Sequence, residues 1–137
     1  MGFSLFINFD GNCRQAVNFY ADVFDSEVQG LMTFDEMPPD PAYVIADEDR
    51  GKIMYCSVLI GNTNVMFSDV PEGMPFTRGN NISPVVSMDD EAAVHRAFDR
   101  LKAGGTVEMD LGSTFWSGLY GMVTDQFGVS WQLMIDE

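Results

Sequence analysis

The last long stretch of the chain decides its fold: Thr114-Phe-Trp-Ser-Gly-Leu-Tyr-Gly-Met-Val-Thr-Asp-Gln-Phe-Gly-Val-Ser-Trp-Gln-Leu-Met-Ile135. β-Branched and aromatic residues, which are typical of strands, lie on both sides of Asp125 and Gly128. Asp bonds its own backbone and Gly accepts a positive φ, so this pair favours a tight turn. The stretch is therefore predicted to be two strands joined by a turn.

The strand after this turn is predicted to have two unlike faces, because successive side chains of a strand point in opposite directions. Trp131 and Leu133 share one face. Ser130, Gln132 and Met134 share the other, which is less apolar than a protein core requires. We expect this second face to line a ligand pocket instead of packing against a helix.

The same order of predicted elements occurs twice along the chain. The first set is predicted as a strand over 3–9, a helix opening at Asn12, and strands over 27–34, 53–60 and 64–69. The second set is predicted as a strand over 83–88, a helix opening at Asp89 or Asp90, a strand over 106–111 and the closing hairpin. Two β-α-β-β-β modules, about 1–72 and 80–137, are expected to form one α+β domain over 1–137, with a curved mixed sheet, both helices on its convex side and a concave cup.

Polar residues are predicted to cap both helices. Asn12 and Gln15 have the spacing of a capping box at the start of the first helix. Asp89 or Asp90 is expected to cap the second helix, and Gly104 to occupy its C′ position.

Residues 35–51 are predicted to form a long loop, because the prolines of Asp35-Glu-Met-Pro-Pro-Asp-Pro41 cannot continue a strand. A loop of this length in a compact domain is usually functional or mobile. A lid over a binding site and a plain acidic insertion both remain open.

Composition narrows the class of protein. The chain has 137 residues, of which 46% are hydrophobic, and this suits one folded domain. A formal net charge of −14 would repel phosphate backbones and anionic membranes, so neither nucleic acid nor membrane is an expected partner.

The two cysteines, Cys13 and Cys56, do not make a disulfide framework. The N-terminus has no basic segment before an apolar run, and no apolar run is long enough to span a membrane. These features favour a cytoplasmic location. Cys13 lies near a predicted helix N-terminus, which makes it a candidate nucleophile, although no base is visible nearby.

The sequence shows no cluster of metal-ligating residues at the predicted inward positions of its strands. The one histidine, His95, falls beside the apolar stripe of the second helix, where a solvated surface role is expected. Acidic residues fall mainly in loops and on helix surfaces, away from inward strand positions. A metal site is therefore not expected.

The sequence resembles the PhnB-like branch of the glyoxalase/bleomycin-resistance superfamily, also called vicinal-oxygen-chelate proteins. The resemblance covers nearly the whole chain. It is carried by Asp10-Gly-Asn-Cys-Arg-Gln-Ala-Val-Asn-Phe-Tyr20, Gly51-Lys-Ile-Met54, Met66-Phe-Ser-Asp69, Thr114-Phe-Trp116 and Tyr120-Gly-Met-Val-Thr-Asp125. It implies paired β-α-β-β-β modules and a homodimer.

The resemblance also indicates where metal-dependent members of the superfamily carry their ligands. Those places hold about Leu5, Ser57 or its neighbour Tyr55, Ser83 and Gln132. Only Gln132 offers a credible ligand atom, so glyoxalase-type and dioxygenase activities, which use the metal as a Lewis acid, are in doubt. Some members are described as demethylubiquinone methyltransferases, but no Gly-rich cofactor loop follows a strand here. No cofactor is predicted.

Without a metal or a cofactor, the expected site is a cup with aromatic walls and a few polar groups, which suits a small organic molecule. The candidate ligand-binding residues are Tyr55, Ser57, Ser83, Phe115, Trp116, Tyr120, Ser130 and Gln132. The three aromatic residues among 115–120 are equally compatible with a core or a dimer interface. Three functions stay open: metal-independent binding of a small molecule, an enzyme whose Tyr or Cys carries the chemistry, and a homodimer with an empty cup.

Overall fold

The computed structural model describes residues 1–136, which contain two α-helices and eight strands. The first set of elements is β1 (Phe6–Phe9), α1 (Cys13–Val23), β2 (Val28–Thr33), β3 (Ile53–Ile60) and β4 (Thr63–Asp69). The second set is β5 (Val85–Met88), α2 (Glu91–Leu101), β6 (Thr106–Gly112), β7 (Tyr120–Thr124) and β8 (Ser130–Ile135). The predicted repetition of β-α-β-β-β is confirmed.

The chain divides into two compact units, Met1–Thr77 and Arg78–Glu137, and each holds one four-stranded sheet. The strand orders are β1-β4-β3-β2 and β5-β8-β7-β6. In both sheets the first strand pairs in parallel with the last strand of its module, and the other pairs are antiparallel. The α+β class with mixed sheets is confirmed. The strands are hydrogen-bonded as two separate sheets, however, whereas one curved sheet was expected. The single domain and its cup stay predictions.

Helix α1 packs on one face of the first sheet through an aromatic core. Its buried stripe includes Val17 and Tyr20. The ring of Tyr20 lies 5.6 Å from that of Phe67 and 6.3 Å from that of Phe9, measured between ring centroids. Helical spacing of apolar residues therefore produces the expected buried side of this helix.

The predicted capping box at the start of α1 is wrong. Asn12 is the N-cap residue, but its side chain makes no capping hydrogen bond, and its Oδ1 is buried without a partner among residues 1–136. The buried carboxylate of Asp69 takes the capping role instead. Its Oδ1 accepts hydrogen bonds from the backbone N–H groups of Gly11 and Cys13, both at 2.9 Å, and its Oδ2 accepts one from Ile53 N–H at 2.9 Å.

The register of the parallel strands explains why Asp69, and not Asn12, caps α1. Asp69, the last residue of β4, lies beside Phe9, the last residue of β1. The chain turns from β1 into α1 immediately afterwards, so the carboxylate lies next to the free N–H groups of the helix. A neighbouring strand thus stabilises the helix N-terminus where a local side chain was expected to do so.

The cap of α2 is the predicted one. The side chain of Asp90 accepts a hydrogen bond from Ala92 N–H at 3.1 Å. The helix ends at Leu101 with Lys102 as C-cap, so Gly104 lies one residue beyond the C′ position expected for it. Its φ of 74° nevertheless uses the conformational freedom of glycine.

Helix α2 lies against the face of the second sheet that contains Gly121 and Leu133. A Cβ atom on Gly121 would be 2.8 Å from Cε2 of Phe98, so the missing side chain makes room for the helix. Gly121 is opposite Leu133 in the register, and opposite residues of an antiparallel pair point to the same face. Leu133 and Trp131 are buried, as the alternation predicted.

The turn between β7 and β8 is organised by the buried carboxylate of Asp125. Its Oδ1 accepts from the N–H groups of Phe127 at 2.8 Å and Val129 at 3.1 Å, and Gly128 adopts a φ of 90°. Its Oδ2 accepts from Nε1 of Trp131 at 2.9 Å. The predicted turn chemistry is confirmed, and the same carboxylate also anchors the core tryptophan.

The predicted loop over 35–51 begins within one short 3-10 turn, Phe34–Glu36, and contains a second, Asp47–Asp49. Its base is closed by backbone hydrogen bonds from Phe34 to Lys52 and from Asp35 to Arg50, each of 3.1 Å. Its role as a lid stays a prediction.

A third buried carboxylate, that of Asp49, holds the end of this loop. Nζ of Lys52 donates to Asp49 at 2.8 Å, and this hydrogen bond holds the pKa of the Asp49 carboxyl below its usual value. The backbone N–H of Glu72 also donates to this carboxylate, at 3.1 Å from Oδ2.

Neither helix in residues 1–136 combines the length and the apolar character that crossing a lipid bilayer requires. The cytoplasmic location and the exclusion of nucleic acid stay predictions.

Candidate ligand-binding site

The face of the second sheet that α2 leaves uncovered carries three of the eight predicted ligand-binding residues, Tyr120, Ser130 and Gln132, and we call it the open face. Because Gly121 and Leu133 point towards α2, their neighbours along β7 and β8 point the other way. The residues of these two strands on the open face are Tyr120, Met122, Thr124, Ser130, Gln132 and Met134.

Tyr120 and Gln132 are joined by a hydrogen bond on the open face. The phenol O–H of Tyr120 donates to Oε1 of Gln132 at 2.5 Å. Tyr120 is directly opposite Met134, so Gln132 is its diagonal neighbour on the same face. The bond occupies the amide oxygen, whereas the amide NH₂ group of Gln132 and the phenol oxygen retain their capacity to donate and accept.

Three aromatic side chains, Phe115, Trp116 and Tyr120, form an aromatic cluster at the start of β7. The ring of Trp116 lies 4.8 Å from that of Phe115 at 86°, and 5.3 Å from that of Tyr120 at 73°. Edge-to-face contacts of this kind are favourable arrangements of aromatic rings. Phe115 is 98% exposed and Trp116 is 49% exposed. Of the three, only Tyr120 is buried in this chain.

The loop that carries Phe115 and Trp116 is held in place by Thr114 and Ser117. The N–H of Ser117 donates to Oγ1 of Thr114 at 3.0 Å, and the N–H of Thr114 donates to the carbonyl oxygen of Ser117 at 2.8 Å. The hydroxyl of Ser117, which is buried, donates to the carbonyl oxygen of Leu119 at 2.9 Å. The exposed aromatic side chains therefore project from a backbone that is fixed by hydrogen bonds.

A second polar group occupies the other end of β7 and β8. The hydroxyls of Thr124 and Ser130 are 2.9 Å apart, and Thr124 also donates to Oε1 of Glu108 at 3.1 Å. The hydroxyl of Ser83 donates to the carbonyl oxygen of Ser130 at 2.9 Å. Thr124 and Glu108 were not predicted. The alternation from Tyr120 through Met122 points to Thr124, whereas Glu108 depends on an irregular register between β6 and β7 that the sequence does not reveal.

The remaining predicted residues, Tyr55 and Ser57, lie in β3 of the first unit. They alternate with buried Cys56, and Ser57 is itself buried while Tyr55 is half-buried. The other six candidates all belong to the second unit. A common site for all eight residues stays a prediction.

The structure contradicts Cys13 as a nucleophile. Both Cys13 and Cys56 are 0% exposed. The hydrogen bond to Cys56, together with burial and the negative charge of Asp69, raises the pKa of the Cys13 thiol. A thiol that is buried and kept protonated is inert, whereas a nucleophile requires accessible thiolate.

The residues at the superfamily's metal-ligand places, as the resemblance gives them, offer few ligand atoms for a divalent metal. Leu5 has no ligand atom, the Ser83 hydroxyl donates to a backbone carbonyl, and the amide oxygen of Gln132 accepts from Tyr120. In residues 1–136 there is no group of at least three His, Cys, Asp or Glu side chains that could hold a metal ion. His95 is on the surface, with Nε2 4.0 Å from Oε1 of Glu91.

The melting temperature should therefore be insensitive to divalent metals. A metal ion that binds the native state raises its melting temperature by mass action. We therefore expect a chelator to leave the melting temperature unchanged, and nickel, zinc, manganese or iron(II) not to raise it. Differential scanning calorimetry with elemental analysis of the freshly purified protein checks this. Tight metal at one ion per chain would contradict the expectation.

Two β-α-β-β-β modules, each with a mixed sheet and one helix, define the α+β class of glyoxalase/bleomycin-resistance proteins. A glyoxalase-related enzyme from Fulvimarina pelagi has this fold, with a TM-score of 0.62 and 17% identity over 99% of this chain and 89% of that one, a likeness of fold alone. Within this class the chain belongs to the PhnB-like family whose model is described as 3-demethylubiquinone-9 3-methyltransferase and matches residues 2–134.

Similar proteins span the whole chain. Protein YjdN of Escherichia coli K12 is 30% identical and aligns with 98% of this chain and 95% of its own length. The crystal structure of PA1353 from Pseudomonas aeruginosa has a TM-score of 0.87 at 31% identity, covering 99% of this chain and 98% of that chain. A Bacillus cereus PhnB protein, described as a putative 3-demethylubiquinone-9 3-methyltransferase, has a TM-score of 0.78 at 28% identity, covering 99% and 100%.

Proposed function

We propose that this PhnB-like chain binds a small organic molecule on the open face of its second sheet, and that binding requires no metal. The observation that carries the proposal is the exposure of Phe115 and Trp116 next to the hydrogen-bonded pair of Tyr120 and Gln132. Aromatic rings provide contact area for a flat molecule, and a few polar groups fix its orientation.

The methyltransferase activity in the family's description is not proposed for this chain. Anionic groups of cofactors commonly bind at free backbone N–H groups of a helix N-terminus that follows a strand. Here the N–H groups of Gly11 and Cys13 donate to the carboxylate of Asp69, and Asp90 caps α2. Both helix N-termini therefore already carry an internal carboxylate, which disfavours the binding of an anionic cofactor group at either of them.

The intrinsic fluorescence of the protein offers a direct test of ligand binding. The sequence contains two tryptophans: Trp131 is buried and Trp116 is half-exposed. Metabolites, quinones and antibiotics are first screened by thermal shift, since a ligand of the native state raises its stability. A ligand of the open face should then change the fluorescence of the parent protein, and this change should disappear in Trp116→Phe.

Two substitutions on the open face should weaken binding of a ligand found in this way. Gln132→Ala and Tyr120→Phe each remove a hydrogen-bonding group, and losing one such bond is expected to raise the Kd roughly 2- to 12-fold. Isothermal titration calorimetry measures the change. Gln126→Ala and Tyr43→Phe, which alter exposed residues elsewhere, are the matched controls and should bind as the parent does. Parent-like affinity in both open-face variants would refute the proposed site.

An enzymatic role is the second candidate, because the phenol group of Tyr120, hydrogen-bonded to Gln132, belongs to the proposed site and can exchange a proton. Product formation by the parent and its loss in Tyr120→Phe would identify an enzyme. Saturable binding without turnover supports a binding protein. Absence of both would support the third function, a homodimer with an empty cup.

We also propose that the chain forms a homodimer, as its resemblance to the superfamily implies. Unpaired strand edges favour association, and β2 and β6 end their sheets with no strand beyond them in residues 1–136. Every side chain over 106–110 of β6 is exposed. Sedimentation equilibrium at micromolar concentration should give about twice the chain mass. A monomer at all concentrations tested would contradict this.

A further inference from the structure

None of the four strands of the second sheet, β5 to β8, contains a basic residue. From Ala103 to Asp136 the sequence contains no Lys, Arg or His. The basic residues of α2 belong to the helix on the opposite face of the sheet. Arg78 lies against Gly128 in the turn at the far end of β7, roughly 13 Å along the strand from Tyr120. An anionic ligand would therefore meet no compensating side chain of this unit at the aromatic cluster.

Negative charge, in contrast, is present without a counterion. Glu108 and Asp110 of β6 are both exposed, and neither forms an ion pair within the part of the chain described, 1–136. The carboxylate of Glu108 is hydrogen-bonded to Thr124 at the other end of β7. Asp110 instead is two residues before Gly112, which is opposite Tyr120 across an irregular stretch of the β6–β7 pairing. An unneutralised carboxylate near a site raises the local concentration of cations and disfavours anions.

The aromatic cluster has the geometry that suits a cation. Its rings meet at 86° and 73°, so they form walls at nearly right angles instead of stacking on one another. A cation is attracted to the face of an aromatic ring, and tryptophan binds it best. About half of the surface of Trp116 is exposed, and the Phe115 side chain is almost fully exposed.

We infer that the ligand of the open face is an organic cation, with an ammonium group against the rings of Trp116 and its neighbours and an apolar body along the sheet. The inference rests on the proposed function and narrows it to one chemical class. Aromatic contact alone would accept neutral molecules equally well. The unpaired carboxylate of Asp110 and the lack of basic residues in the strands of this sheet provide the selection for positive charge.

Three probes of similar size test the inference: benzyltrimethylammonium, benzyl alcohol and benzoate. Each is titrated into the ¹⁵N-labelled parent protein at low ionic strength, with the two indole N–H signals as the readout. The signal of Trp116 should shift and that of buried Trp131 should not. Benzyltrimethylammonium should bind roughly tenfold more tightly than the other two, and this preference should shrink at high salt.

A charge variant separates selection by charge from simple aromatic contact. Asp110→Asn should lower the affinity for benzyltrimethylammonium and leave the affinity for benzyl alcohol unchanged. Asp99→Asn removes the same charge from exposed Asp99 of α2 and serves as the matched control, with affinities like those of the parent. Equal effects of the two variants would overturn local selection by Asp110.

The outcomes distinguish the two proposals. If benzyl alcohol or benzoate shifts the Trp116 signal with equal or higher affinity, the organic cation is refuted while the binding site stands. If no probe moves the Trp116 signal, both the cation and the site are contradicted.

Discussion

Trp131→Ala is expected to lower the free energy of unfolding by about 3–5 kcal/mol, the range for large core truncations. Trp131 is 1% exposed and is the largest of the fully buried side chains. Its removal leaves a cavity beneath α2. It also deprives the buried carboxylate of Asp125 of a donor at 2.9 Å. Urea denaturation followed by circular dichroism measures the loss.

The neighbouring residue provides the control. Gln132→Ala should change the free energy of unfolding by no more than about 1 kcal/mol, because it removes one partly exposed hydrogen bond to Tyr120. Trp131→Phe keeps most of the ring volume and loses only the N–H donor, so it separates the cavity from the hydrogen bond. If Gln132→Ala unfolds the protein, the assignment of the two faces of β8 is wrong.

The second large effect is expected for Asp69→Ala, with a loss of about 3–5 kcal/mol, since each buried donor left without a partner costs about 1–3 kcal/mol. The carboxylate is 3% exposed and accepts hydrogen bonds from three backbone N–H groups, those of Gly11, Cys13 and Ile53. Gly11 lies at the surface, where water can replace the lost bond. Cys13 and Ile53 are fully buried and have no such replacement.

Asp10→Asn is the matched control, because Asp10 is exposed in the same connection between β1 and α1. It should leave the urea midpoint within experimental error of the parent. Amide hydrogen exchange adds a local readout: Asp69→Ala should expose the first turn of α1 to exchange while α2 remains protected. If the first turn of α1 keeps its protection in Asp69→Ala, the capping role of the carboxylate is refuted.

The candidate site was predictable where it depends on alternation along one strand. Ser130 and Gln132 alternate with Trp131, and this pattern placed them correctly on the face away from the core. The hydrogen bond between Tyr120 and Gln132 could not be predicted, because it depends on the register between β7 and β8, which the sequence does not give. Glu108 was missed for a similar reason: its contact with Thr124 crosses an irregular pairing of β6 and β7.

Local sequence by itself determined the two modules, the strand faces and the second helix cap. The periods of two and 3.6 residues and the Asp90 cap involve residues close together in the chain, so they can be read without the fold. Tertiary structure decided that Asp69 caps α1, a contact that spans 56 residues, and that Cys13 is buried against Cys56. It also decided that Phe115 and Trp116 stay exposed while Tyr120 is buried. These outcomes depend on which strands become neighbours, because burial and hydrogen-bond partners are set by distant parts of the chain.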